Sequence, residues 1–80
     1  MWQDAAMVSL DRVEQNKSCK ICALSGQVHS LRRLMALSVA VGNRAMVVQN
    51  RRFVPLLLRI GDSLVALNRR RARDVWVELG

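Results

Sequence analysis

The chain has 80 residues, 51% of them apolar, and carries a formal net charge of +7. That length allows one small domain with a thin core, and the apolar content excludes a fully disordered chain. The charge favours an acidic partner, whether nucleic acid, an anionic membrane face or an acidic protein groove.

The charge is unevenly placed. Residues 1–16 hold Asp4, Asp11 and Glu14 against Arg12 alone, a net −2, while residues 17–80 hold twelve bases against Asp62, Asp74 and Glu78, a net +9. Rings are scarce: Trp2, Phe53 and Trp76 are all the aromatic side chains. The core therefore has to be built from Leu, Val, Ala and Met. The N-terminus opens MWQDAA, with an acid where a basic signal region would stand. The longest uncharged apolar run, around Leu34 to Val41, is far short of the roughly 20 residues that span a bilayer. An intracellular protein is expected, cytoplasmic or peripheral at a membrane.

Residues 1–16 predict an acidic amphipathic helix, because Trp2, Ala6, Leu10 and Val13 recur at helical spacing. Asn16-Lys17-Ser18 breaks it. The next segment, SCKICAL, has a Cys-x-x-Cys spacing at Cys19 and Cys22. A structural zinc site wants four ligands, usually two such pairs. With His29 the only histidine and no second pair, the two cysteines read as ordinary reduced thiols, and no metal or cofactor is expected.

Residues 27–52 predict a helical segment, with Val28, Leu31, Leu34 and Met35 on one face and Arg32 and Arg33 outside it. SVAV-GN-RAMVV leaves an alternative, since β-branched residues on both sides of Gly42-Asn43 are a hairpin signal over residues 38–48. Pro55 then marks the start of a last helix, because proline is tolerated in a first turn and not inside a helix. A basic amphipathic helix is predicted over residues 55–79, with Leu57, Ile60, Leu64 and Leu67 as its apolar stripe. The expected fold is all-α, a small bundle or set of helical hairpins with three to four helices. The alternative is α+β with a hairpin at Gly42-Asn43.

The stretch Leu57-x-x-Ile60-Gly61-Asp62-x-Leu64, with Phe53 four residues ahead, resembles the third homology motif of the Bcl-2 family. In that family an amphipathic helix docks into a partner's hydrophobic groove. The resemblance covers about 12 residues. It implies that Phe53, Leu57, Ile60 and Leu64 fill pockets of the groove, that Gly61 permits close approach, and that Asp62 pairs with an arginine. It further implies a role in regulating apoptosis. Pro55 departs from the pattern, since a helix begun there leaves Phe53 outside.

The competing reading rests on RRRAR. Arg69, Arg70, Arg71 and Arg73 could contact phosphates of a nucleic acid or an anionic membrane, or direct nuclear import. In this reading the chain is a basic helical protein that binds nucleic acid or assembles with copies of itself. Enzyme function is not expected. One histidine and six unpaired carboxylates offer no acid–base pair, and no phosphate-binding or nucleophile motif is present.

Overall fold

The computed structural model describes residues 7–80, and its dominant element is a six-stranded antiparallel sheet. The elements in order are β1 (Met7–Ser9), a 3-10 turn (Leu10–Arg12), β2 (Ser18–Leu24), α1 (Val28–Ala36), β3 (Arg44–Gln49), β4 (Leu56–Ile60), β5 (Ser63–Leu67), α2 (Arg69–Ala72) and β6 (Val75–Leu79). The strands lie in the order β1-β6-β2-β3-β4-β5. The all-α expectation is therefore overturned, and the architecture is mostly β with two short helices.

Period-two alternation accounts for the strands. β4 buries Leu56, Leu58 and Ile60 and turns Leu57 and Arg59 outward. β5 buries Val65 and Leu67, β6 buries Val75 and Val77, β3 buries Ala45 and Val47, and β2 buries Cys19 and Ile21. These side chains form one cluster with Leu10, Val13, Leu34, Val39 and Ala72. Among the described residues no second sheet covers the apolar face, so the sheet curls around it as a small, partly open barrel. Full burial of a Leu or Val contributes about 1.5–3 kcal/mol, which makes this cluster the main source of stability.

The predicted helix over 55–79 is in fact two strands, a single helical turn and a third strand. The cause is local. Leu56–Ile60 and Ser63–Leu67 are joined by the two-residue turn Gly61-Asp62, with Ile60 paired to Ser63. Gly61 takes φ +60° while Asp62 stays at negative φ, the arrangement of a II′ hairpin turn. The leucine run satisfied a helical stripe and a strand alternation at once, and the turn chemistry decides between them.

The hairpin alternative also falls elsewhere than expected. Gly42-Asn43 does not join two hairpin strands. It lies between α1 and β3 and lines up against β2, where Gly42 N donates to Ile21 O (2.8 Å) and Ile21 N donates to Asn43 O (2.9 Å). Among the described residues, the core of the second predicted helix forms as α1, and of the last one only the turn Arg69–Ala72 is helical. α1 stops where Ser38 adopts φ +70°, with Val39 N donating back to Leu34 O (2.9 Å) in a Schellman-type closure. Trp2, Asp4 and Ala6 of the predicted first helix lie outside the described residues. Its remainder is β1, the 3-10 turn and a loop.

Asn50 fastens one end of the barrel. Its Nδ2 donates to Val13 O (2.6 Å) and Asp11 O (3.0 Å), and its backbone N–H donates to Gln15 Oε1 (2.9 Å). Arg69 adds donor bonds to Arg51 O (3.2 Å) and Asp11 O (3.5 Å). The β1–β2, β3–β4 and β5–β6 connections thus meet at a single end of the molecule.

Candidate interaction surface

The residues expected to dock as one helical face are scattered by the strand geometry. Ile60 is buried in the core, whereas Leu57 points outward and is half-buried. Leu64, 57% exposed, is paired across from Arg59 on the outer face. Gly61 and Asp62 form the exposed hairpin turn at that end of β4 and β5. Phe53 stands apart on the β3–β4 loop. Four apolar anchors on one side of a helix do not exist here, and the Bcl-2-type docking helix is excluded by the fold.

The arginines have a different outcome. Arg69, Arg70 and Arg71 form α2, and Arg73 is its C-terminal cap. Asn68 caps the N-terminus, its Oδ1 accepting from Arg71 N at 2.8 Å. The sequence GDSLVALN-RRRAR therefore runs strand, cap, helix, rather than one continuous helix. Arg70 and Arg73 are exposed, Arg69 folds back onto the β3–β4 loop, and Arg71 is half-buried with Nη1 unpartnered.

Sequence reasoning singled out Phe53, as a helical anchor, but missed Arg12, Arg51 and Arg52 on the other half of this surface. The β3–β4 connection brings exposed Arg51, Arg52 and Phe53 beside α2, and the 3-10 turn adds exposed Arg12. A shallow hollow of about 260 Å³ is lined by Phe53, Val54, Pro55, Asn68 and Arg69. A second cleft, about 470 Å³, lies between β1 and the 3-10 turn, with Arg12, Arg73 and Trp76 among its walls. The available signal was RRF ahead of Pro55: a bulky ring between two cations and a chain-turning residue, on a segment too polar for the core.

The thiols lie apart from this end. Cys19 is buried in β2, and burial pushes its thiol up from the ordinary value, with Arg44 opposing. It therefore stays protonated in the fold and is a poor nucleophile and metal ligand. Cys22 sits where the β2–β6 register shifts, its Sγ donating weakly to Lys20 O (3.5 Å). His29 is exposed on α1. Among the described residues no three His, Cys, Asp or Glu side chains come together as a metal site. No helix among them is long and apolar enough to cross a membrane.

Comparison with known proteins resolves the family. No curated protein sequence matches significantly. Among solved structures, an iron uptake regulatory protein (FeoA) superposes with a TM-score of 0.90 at 16% identity, covering 94% of this chain and 100% of that one. A manganese-dependent transcriptional repressor gives 0.89 at 18% identity, covering 98% of this chain and 44% of that one. Iron(II) transport protein A from Clostridium thermocellum gives 0.77 at 25% identity, covering 90% of this chain and 45% of that one. The fold is thus the SH3-like barrel of these proteins, found both alone and as part of longer chains. The FeoA domain family model matches residues 8–79, nearly the whole chain, and the protein belongs to that family.

Proposed function

We propose that this chain is a non-enzymatic regulatory domain of a ferrous iron uptake system, working inside the cell by contact with a protein of that system. The observation that carries the reading is the family match across residues 8–79. Two relatives described as an iron uptake regulatory protein and as iron(II) transport protein A support it. Iron is here the cargo of the system, not a resident cofactor of the domain.

The chemistry of the barrel suits this role. The core fills the interior of this small β domain and its hollows are open ones at the surface, so its loops and outer face are what is free to bind. Phe53, Leu64 and Trp76 remain exposed among basic side chains, a composition typical of contact surfaces. The test is uptake of radiolabelled ferrous iron by cells lacking the chain, with and without its return on a plasmid. Uptake should fall in the deletion and recover on complementation. Equal uptake in all strains would overturn the assignment.

A further inference from the structure

We propose that the arginine-rich end of the barrel is a contact surface for an anionic lipid bilayer, with Phe53 as the side chain that enters the headgroup region. The inference does not depend on the iron-uptake reading, since it rests on the surface alone.

Phe53 is 92% exposed, more than any other large apolar side chain among the described residues. It also holds φ +67°, a left-handed conformation that is uncommon for a bulky residue. Exposure and backbone strain at one residue, on a loop tip, mark a side chain presented outward rather than merely left there. The Arg52 guanidinium lies 5.5 Å from the ring centroid, which holds a cation at the depth of the ring. Exposed Arg51 lies on the same loop, Arg69 lines the hollow beside the ring, and exposed Arg70 follows it on α2.

The charge at this end is strongly positive, although the β1–β2 connection brings Asp11 and exposed Glu14 to it along with Arg12 and Lys17. Residues 50–55 and 68–73 contain six arginines and no carboxylate. Of the acids beside it, Asp11 is half-buried with Oδ1 out of solvent, and Asp74 is half-buried and faces Ser25. A positive patch is complementary to a negative one, and a bilayer of anionic lipid offers that as a continuous plane. An aromatic tip between cations matches the layered polarity of that plane, with the ring at the headgroup boundary and the guanidinium groups among the phosphates. Single-stranded nucleic acid, the rival anion, is held by successive bases stacking on several rings, and Phe53 is the one ring on these connections.

The test is co-sedimentation of the full chain with vesicles of phosphatidylcholine alone and of phosphatidylcholine with one-third phosphatidylglycerol. Binding should require phosphatidylglycerol and weaken with salt. Each arginine lost should weaken it about fivefold, so Arg51→Glu with Arg52→Glu should reduce it by well over tenfold. Phe53→Ser should weaken binding while leaving its salt dependence in place. All three residues are exposed, so circular dichroism and melting should match the parent chain. Phe53→Trp should retain binding and show extra fluorescence quenching by brominated lipid relative to the parent. Binding equal on both vesicle types, or indifferent to these substitutions, would overturn the proposal. So would a single-stranded oligonucleotide that binds more tightly than anionic vesicles through the same residues.

Discussion

Gly61 shows how much a single residue decides. In a helix its missing side chain would permit close approach of another helix. In the observed hairpin it supplies φ +60° at the first turn position, where any other residue is strained. An added Cβ would meet nothing within 4 Å, so the requirement is conformational and not steric. Gly61→Ala should therefore lower stability by about 1–2 kcal/mol in urea unfolding, the cost of a left-handed conformation for a residue with a side chain. No loss would mean that the turn relaxes freely. The Gly-Asp pair was visible in the sequence, flanked by five-residue segments with four apolar residues each, and those neighbours make it a turn signal. The same two letters inside a helical pattern carried the opposite meaning.

The elements differ in how far periodicity exposes them. α1 was legible because VHSLRRLMA alternates apolar and basic residues at a period that no strand would show. β4 was not, because Leu56, Leu57 and Leu58 are identical and leave the period undefined. The two readings nevertheless differ in which leucine is buried. The helical stripe runs through Leu57, whereas the strand buries Leu58 completely and leaves Leu57 half out. Leu58→Ala should cost about 2–5 kcal/mol of unfolding free energy, and Leu57→Ala distinctly less. A reversed order in chemical denaturation would contradict the strand register. The arginine helix was likewise seen as a charge run, but its length was overestimated, since Asn68 caps it only after β5 has ended.

At the scale of the whole molecule, the candidate surface could not be seen in the sequence because its parts are far apart in the chain. RRRAR stood out as a cluster, yet Arg12, Arg51, Arg52 and Phe53 join it only when three connections converge. Asn50 is the residue that draws them together, through two side-chain donor bonds and one backbone bond to the β1–β2 connection. Asn50→Ala should lower stability by about 1–3 kcal/mol, because partly buried carbonyls of Asp11 and Val13 lose their donor. Asn50→Asp should cost more, since it sets an anion against the same carbonyls. Thermal unfolding of the two variants checks the order, and an unchanged midpoint for both would show that water replaces the clamp without loss.

The strand order has one further consequence, for how the chain reaches its fold. β6 is the last strand of the described chain, yet it lies between β1 and β2, paired to both. On a ribosome, β1 and β2 emerge early and must wait with a strand-wide gap between them. β2 can meet β3 on its other edge in the meantime, but β1 has no partner until Val75–Leu79 appears. The barrel is therefore completed by its final five-residue strand, in a step that depends on contacts between chain segments far apart in sequence and is slow for that reason. Until then Ile21 and Val77, neighbours in the finished sheet, are separate hydrophobic surfaces, and the half-built sheet is open to wrong pairing.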